Sequence, residues 1–438
     1  MVLLVVFLLG FPALFRPEVR GTDPTGYYSW LRSAVIDGDL NTADEYAHLG
    51  RGAVGGTTDT GHWDNPYAIG SALLWAPFFL AAHAITLLVR LLGVSWPADG
   101  YGAQYVIAVS LGSALYAWLS VLLTYLLARR LFDATTALIA VLSVWLASPL
   151  VFYQYSHPIM AHANDAFVCA VFIFVWYRTR AQRTVIQYAL LGAAAGLCAL
   201  VRNQNTVFVL FPLAEIAYRA VAARRAIGSR RALVATVLSR TGAFSLGWWL
   251  AFTPQLITWR VVFGTWLPGN PYARSGGGDF DFLHPHIFGI FFSTNHGLFV
   301  WTPLLLAAVC GWFFLWRRDR GLTGLLAVSF ALQVCVIASW SSWSGAAAFG
   351  QRFFVNMVPA FGLGLAALLS ALGRRVAWRW LAAGCASFVV WNGLLLLRYA
   401  LEDIPRASEV PLDRLVLGQF TLIVRFVDHV VHLVQQRF

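Results

Sequence analysis

Charged residues are scarce in this chain of 438 residues, at 12% of the sequence, whereas soluble domains carry roughly a quarter. So few charges cannot cover a soluble surface of this size, which excludes a soluble enzyme. Lysine is absent, so all 31 basic residues are arginine. The five cysteines all fall within apolar runs, which argues against a disulfide framework or a cysteine metal site and indicates buried packing.

Apolar residues make up 59% of the sequence and gather in long runs, such as Val106–Leu127, Ala243–Val262 and Leu298–Trp316. Runs of about 20 apolar residues are typical of membrane-spanning helices. The predicted fold is an all-α polytopic membrane protein of about 11–12 hydrophobic helices. We find no internal repeat, and residues 1–397 are predicted to form one membrane domain.

Arginine clusters separate the apolar runs, for example at Arg129–Arg130, Arg317–Arg318 and Arg374–Arg375. This is the positive-inside pattern of cytoplasmic loops rather than a basic face, so the net charge of +11 does not indicate a nucleic-acid partner. The clusters predict membrane crossings at 105–128, 135–153, 164–177, 185–201, 206–222, 240–263, 297–316, 322–340, 357–373 and 380–397. The remaining loops then face outward, and the protein is predicted to lie in a bacterial cytoplasmic membrane.

The first segments fit this topology less simply. Residues 1–15 are interpreted as a retained first helix that places residues 16–67 outside. Residues 68–92 are apolar enough to cross, but a crossing there would put Arg129–Arg130 outside. Either 68–92 is a re-entrant helix, which we favour, or 1–15 is too short to span. Residues 398–438 are predicted to be an outward tail with an interfacial amphipathic helix.

The loop 16–67 holds eight of the 20 acidic residues. Asp23 directly follows the first helix, where a carboxylate could accept a proton from a substrate hydroxyl or, alternatively, form a turn before Pro24. Asp37 and Asp39 flank Gly38; they could bind a metal, but a turn at a helix end is favoured.

A second polar group follows near 157–165. His162 and Asp165 lie three residues apart at a helix start, so they can face the same side. With His157 they form a possible metal set, while Asp165 alternatively complements the helix N-terminus. Polar residues at the edge of a membrane helix favour an interior cavity.

Three arginines, Arg202, Arg274 and Arg352, fall in outward loops, against the positive-inside trend. Each could bind a phosphate or form a salt bridge to a loop carboxylate. Aromatic residues share these loops, and we interpret them as interfacial unless other evidence indicates a sugar; they are Trp63, Tyr67, Tyr272, Trp301, Trp340 and Trp343.

The order of these pieces resembles the GT-C glycosyltransferases, in particular the bacterial protein O-mannosyltransferase and lipid A aminoarabinose transferase type. The pieces are Asp23, Tyr27–Tyr28, Asp37–Leu40, Asn65–Gly70, Ser156–His157 with Asp165, the stretch from Gly196 to Arg202, Gly297–Pro303, and the segment from Gly345 through Arg352 to Pro359. The resemblance extends over about residues 1–397, and its individual motifs are loose.

The resemblance implies transfer of a hexose or pentose from a polyprenyl-phosphate donor to a glycan, lipid or protein acceptor on the extracytoplasmic face, with inversion. It implies that Asp23 is the catalytic base and that Asp165 is the family's second-loop acid. Pro24 stands where the family often has a second acid, which weakens the transfer of that acid's role.

The remaining expected site residues are Tyr27, Tyr28, Asp44, Glu45, His157 and His162 for substrate binding, and Arg202, Arg274 and Arg352 for the donor phosphate. No cofactor is implied with certainty, and a divalent metal is left open. The alternative function is a transporter or flippase for a lipid-linked sugar or another solute. One-sided clustering of the polar residues favours the enzyme.

Overall fold

The computed structural model describes residues 1–50, 56–224, 230–274 and 276–422. This part of the chain is helical, and its extended pairing is limited to two isolated bridges, Thr57 with Trp63 and Phe280 with Trp340. The α-helices are α1 (Val2–Leu14), α2 (Thr22–Arg32), α3 (Ala43–His48), α4 (Gly70–Leu91), α5 (Ala103–Ala128), α6 (Ala134–Leu146), α7 (Ala161–Thr179), α8 (Val185–Val201), α9 (Leu210–Ala223), α10 (Arg230–Phe263), α11 (Pro271–Arg274), α12 (Ile287–Phe292), α13 (Leu298–Trp301), α14 (Pro303–Trp316), α15 (Arg320–Ala338), α16 (Val358–Leu372), α17 (Trp378–Ala400) and α18 (Leu412–Leu417). The predicted all-α fold is confirmed.

Six helical segments of the described chain are long and apolar enough to cross a membrane, and they are Gly70–Leu91, Ala103–Ala128, Asn203–Ala222, Arg320–Ala338, Arg352–Leu372 and Trp378–Ala400. Shorter apolar helices, including α1, α6, α8 and α14, pack among them. The protein is therefore an integral membrane protein. Residues 70–91 form one unbroken helix of 22 residues despite Pro77, and the re-entrant arrangement stays a prediction.

Helices occupy the predicted crossings, with three interruptions. The segment predicted at 206–222 begins within the 3₁₀-helix Asn203–Val209 and continues as α9, and α10 begins at Arg230 rather than at 240. The segment predicted at 135–153 ends as an α-helix at Leu146, and a π-helical turn, Phe152–Ser156, follows Pro149. The segment predicted at 297–316 is divided at Thr302, before Pro303 starts α14. In the tail, α18 is the last described helix, and residues 423–438, where the interfacial helix is predicted, lie outside the described residues.

Two helix pairs pack so closely that their contacts require glycine. A Cβ at Gly192 of α8 would lie 1.9 Å from the Phe244 carbonyl oxygen of α10, and one at Gly247 would lie 1.9 Å from the Ala189 oxygen. Gly311 of α14 meets the Gly364 carbonyl of α16 at the same distance. Small residues allow backbones to approach in membranes, where dispersion contacts drive helix association.

The polar loops that contain the candidate site lie together at one end of the helical bundle. The first-loop helices α2 and α3 lie there, and α2 packs on α4. The 3₁₀-helix Asn203–Val209 follows α8, and the 3₁₀-helix Arg352–Met357 leads into α16. Both 3₁₀-helices contact the membrane helices α7 or α15, so the loops are held on a rigid base.

Candidate active site

Asp23 lies in the first turn of α2, and its carboxylate has two partners from distant parts of the chain. The Tyr67 hydroxyl donates to Oδ1 at 2.8 Å. The Arg352 guanidinium forms an ion pair with Oδ2 at 3.0 Å. The cap residue of α2 is Gly21, without a side-chain cap, so Asp23 is held by tertiary contacts. Its side chain is 29% exposed, which leaves the carboxylate accessible.

Gly26 allows Tyr67 to reach Asp23. A Cβ at this position would lie 2.0 Å from the Tyr67 ring, so any other residue would displace the ring from α2. The Asn65 side chain donates to the Gly26 carbonyl at 2.9 Å, and Trp30 donates to the Tyr67 carbonyl at 2.8 Å. Burial, and then the nearby Asp23 carboxylate, raise the pKa of Tyr67, so the hydroxyl keeps the proton that it donates.

Arg352 and Arg202 share one aromatic ring. Their guanidinium carbons lie 5.3 Å and 5.2 Å from the centre of the Phe353 ring, within the range of a cation–π contact. The Nε of Arg352 is buried and has no acceptor among the described residues. We call Asp23, Tyr67, Arg202, Arg352 and Phe353 the Asp23 site.

Asp165 holds Arg202 in place from inside the bundle. The Arg202 Nε lies 3.6 Å from Asp165 Oδ2, and the Asn205 side chain donates to Asp165 Oδ1 at 2.6 Å. The Asn356 side chain donates to Asn205 Oδ1 at 2.6 Å and to Gln333 Oε1 at 2.9 Å. Because Asn205 and Asn356 belong to the two 3₁₀-helices, this network fixes the distance between the segments that carry Arg202 and Arg352.

Both predicted histidines lie at the edge of the site. His162 is fully buried, its Nδ1 is 3.3 Å from an Arg202 nitrogen, and its Nε2 has no partner among the described residues. His157 ends the π-helical turn. Burial, and then the charge of Arg352, lower the pKa of His157 to about 4, so this imidazole is neutral at physiological pH. Among the described residues, the group of side chains close enough to hold a metal ion is Asp37, Asp44 and Glu45, and it includes neither histidine.

The other first-loop acids form a separate group around Arg32. Its Nη1 contacts Asp37, Asp44 at 2.8 Å and Glu45 at 3.1 Å. Arg32 also donates from Nε to the Asp99 carbonyl at 2.9 Å and lies over the Tyr101 ring. We call Arg32, Asp37, Asp44 and Glu45 the Arg32 cluster.

Burial has its main effect in the Arg32 cluster on Glu45. The Glu45 side chain is fully buried, and this burial, with Asp44 next to it, raises its pKa to about 8. Gly38 ends the preceding π-helical turn at φ +76°, as the turn interpretation of 37–39 expects, and this reversal returns α3 to α2. The oxygens of Asp37, Asp44 and Glu45 lie close enough together to hold an ion, but the Arg32 nitrogen already contacts all three. Arg32 therefore occupies the place between these carboxylates that a metal ion would take.

The structure brings only part of the predicted site set together. Asp23 and Arg352 are in contact, and Arg202 meets Asp165 and His162. Tyr27 lies beside this group, 4.9 Å from the Tyr67 ring. Tyr28 points elsewhere, since its buried hydroxyl donates to the Gly100 carbonyl.

Asp44 and Glu45 belong to the Arg32 cluster rather than to the Asp23 site. Arg274 lies over the Phe263 ring and does not contact Asp23. These three residues are therefore not placed at the Asp23 site by the structure.

The sequence analysis missed four polar residues that organise these groups: Arg32, Asn205, Gln333 and Asn356. Gln333 and Asn356 carried a signal, because an amide within an apolar membrane segment needs a buried partner. Tyr67 was noted as one of several interfacial aromatics and within the Asn65–Gly70 piece of the resemblance, but neither observation indicated its contact with Asp23.

The fold and the site together define the class of this protein. It is an integral membrane protein with an accessible carboxylate and two arginines at one end of its helical bundle. Such a set can bind an anionic group and accept a proton beside it.

One family model matches part of the chain. Residues 103–249 match the family model described as "Dolichyl-phosphate-mannose-protein mannosyltransferase". This match confirms the resemblance over that segment and supports the glycosyltransferase class. The segment includes His162, Asp165 and Arg202 but neither Asp23 nor Arg352.

Among solved structures, the chain is similar to ArnT from Cupriavidus metallidurans, which was crystallised with undecaprenyl phosphate. The two share 16% sequence identity with a TM-score of 0.49, over 100% of this chain and 71% of that chain. No curated protein matches the chain.

Proposed function

We propose that this protein transfers a sugar from a polyprenyl-phosphate donor to an acceptor hydroxyl, with inversion, at the extracytoplasmic face. The observation that carries the proposal is the paired state of Asp23 and Arg352. One arginine nitrogen holds the carboxylate at 3.0 Å, while the buried Nε of the same arginine has no acceptor among the described residues. A phosphate oxygen would satisfy that donor. The family description, which names a lipid-phosphate-linked sugar, supports the same donor class.

The chemistry follows from the positions of the charges. The acceptor oxygen attacks the anomeric carbon as the bond from that carbon to the phosphate oxygen breaks. The phosphate leaves with the bonding electrons, and Arg352 and Arg202 stabilise its growing charge. The acceptor proton passes to Asp23, which is accessible on the same side. Attack opposite to the departing phosphate inverts the anomeric centre.

The other side chains position these groups. The Tyr67 hydroxyl directs the Asp23 carboxylate by binding Oδ1, which leaves Oδ2 for Arg352 and for the incoming proton. Asp165 and its amide network hold Arg202 in position. The Arg202 Nε lies 3.6 Å from Asp165 Oδ2, so the ion pair is loose and the guanidinium can still bind a phosphate. Tyr27, Tyr272 and Trp340 form an aromatic border; Tyr272 lies 5.7 Å from Tyr67 and 6.0 Å from Trp340. Such faces are suited to stacking on a sugar.

The test is donor turnover by the purified protein in liposomes. A polyprenyl-phosphate sugar, radiolabelled in the sugar, is supplied with an extract of envelope glycans and lipids. We expect label to move to the acceptor fraction with equimolar release of polyprenyl phosphate, and the product anomer to be opposite to that of the donor. Movement of intact donor across the bilayer without cleavage would contradict the proposal and indicate a flippase. Transfer with retention would contradict the direct displacement.

A further inference from the structure

The end of the bundle opposite to the Asp23 site carries a basic cavity that the proposed function does not use. α16 begins beside the 3₁₀-helix of Arg352 and ends at Leu372, so its 15 residues separate the two ends by about 22 Å. A cavity of about 590 Å³ lies here, at the turns that follow α14 and α16. Its walls carry four arginines, Arg317, Arg318, Arg374 and Arg375.

One wall of this cavity is ordered and the other is apolar. Arg318 donates to the Leu131 carbonyl at 2.7 Å and to the Ser370 hydroxyl at 3.2 Å, so its guanidinium is fixed at the cavity. Phe314, Ala367 and Leu372 supply apolar surface next to the arginines. A ligand with an anionic head and an apolar tail would match both surfaces.

No carboxylate of the described residues neutralises these arginines. The nearest acid in sequence, Asp319, accepts from Arg180 and caps α15 through the Leu322 N–H at 3.0 Å. A neighbouring cavity of about 900 Å³ provides a contrast. It also holds arginines, but Glu215 lies among them and binds Arg219 at 3.0 Å. In that cavity Arg219 and Arg180 are paired with Glu215 and Asp319, whereas none of the four arginines of the first cavity has a carboxylate partner among the described residues.

From this geometry we propose that the cavity formed by Arg317, Arg318, Arg374 and Arg375 binds the phosphate headgroup of an anionic phospholipid. Basic pockets between membrane helices bind such headgroups, and arginines near an anionic leaflet attract them electrostatically. The positive-inside pattern predicts that this end faces the cytoplasm. The headgroup would bridge the turns after α14 and α16 and so stabilise the pair that packs through Gly311. This inference is independent of the sugar transfer proposed above.

The test measures stabilisation of the full-length protein by phosphatidylglycerol in detergent micelles, with the melting temperature as the readout. A ligand that binds only the folded state raises this temperature. We expect phosphatidylglycerol, but not phosphatidylcholine, to raise it. In R374A/R375A the gain should fall by roughly half or more. The control R230A/R231A removes the same charge from the exposed start of α10 and should keep the full gain. Native mass spectrometry should show phosphatidylglycerol retained by the wild type and by the control.

Three outcomes would overturn the proposal. An equal loss in R374A/R375A and R230A/R231A would mean that only total charge matters. An equal gain from inorganic phosphate would identify a free-anion site rather than a lipid site. A gain from polyprenyl phosphate alone, lost in R374A/R375A, would assign the cavity to the donor lipid.

Discussion

Two groups of carboxylates and arginines involve the first loop, and they differ in composition and in where along the chain their partners lie. In the Asp23 site, one partly exposed carboxylate faces Arg352, with Arg202 across the Phe353 ring. In the Arg32 cluster, three carboxylates converge on one buried arginine. The first group has more positive than negative charge at its surface and can take an anion. In the second, one arginine contacts three carboxylates, so the group has no excess positive charge with which to bind an anion.

The chain connections differ as well. The carboxylate partners of Arg32 lie within 13 residues of it, whereas Asp23 meets partners from the 3₁₀-helix before α16 and from the loop before α4. Acids that are close in sequence to their arginine stabilise the loop itself, and a site assembled from distant elements is positioned by the whole bundle. The comparison therefore separates the acid that we propose to react from acids that hold the loop together.

The largest expected effect is at the Asp23 site. Asp23→Asn keeps the shape of the side chain and removes its ability to accept a proton. General bases contribute about 10²–10⁴-fold, so the turnover of donor should fall by at least about 100-fold at an unchanged melting temperature. Asp59→Asn, an exposed turn acid of the same loop, is the matched control. Full activity in Asp23→Asn would remove the base assignment.

The stabilising role of the Arg32 cluster is tested by a substitution at Arg32. Arg32→Ala leaves the buried Glu45 and its neighbours without their cation, and breaking a buried pair costs about 3–5 kcal/mol. The expected result is a large fall in melting temperature in detergent. Arg20→Ala is the control, because its pair with Glu18 at 3.8 Å is exposed and contributes at most about 1 kcal/mol. A stable Arg32→Ala protein that has lost only activity would place the cluster in the catalytic site instead.

The next effect concerns the arginine that faces Asp23. Arg352→Ala removes a charge-assisted contact to the donor phosphate, of about 1.5–3 kcal/mol, so affinity for polyprenyl phosphate should weaken by about 10–100-fold. Arg352→Lys keeps the charge without the planar fork and should recover part of this loss. Arg260→Ala, exposed at the end of α10, serves as the control. Binding isotherms in which Arg352→Ala equals the wild type would exclude Arg352 from the phosphate site.

The last prediction is a pH dependence that should distinguish the Arg32 cluster from the Asp23 site. The pKa of Glu45 rises from 4.5 to about 8 on folding, so the folded state binds more protons between these values. The contribution of Glu45 to the free energy of unfolding is fully present below pH 4.5 and is lost as the pH rises through about 8. Melting curves against pH should slope downward over this interval in the wild type and flatten in Glu45→Gln. An identical slope in both proteins would contradict the buried, protonated Glu45.

Sequence reasoning predicted the helical fold, because hydropathy identifies the apolar segments of a membrane protein directly. The predicted crossings and their orientation stay predictions. Asp23 and Arg352 could be selected individually from their loops, but their contact could not, since it depends on how α2 packs against the 3₁₀-helix Arg352–Met357. Asp44 and Glu45 were expected to line a site. Their true partner, Arg32, follows from the chain reversal at Gly38, and composition alone gives no sign of that pairing.

The side-chain amides of Asn205 and Asn356 show a second limit of prediction from sequence. Asn205 resembles an ordinary loop residue in sequence, and Asn356 stands out only as an amide in an apolar segment. Their mutual contact at 2.6 Å is what shows that they align the segments of Arg202 and Arg352. A network of this kind has no local signature, because its members come from four separate elements.

The most direct test of the central claim is a structure of the protein with polyprenyl phosphate bound. We expect the phosphate within hydrogen-bond distance of the Arg352 and Arg202 guanidiniums, beside Asp23, with the Arg32 cluster unchanged. A phosphate bound at the Arg32 cluster, or away from both Arg352 and Arg202, would contradict the account.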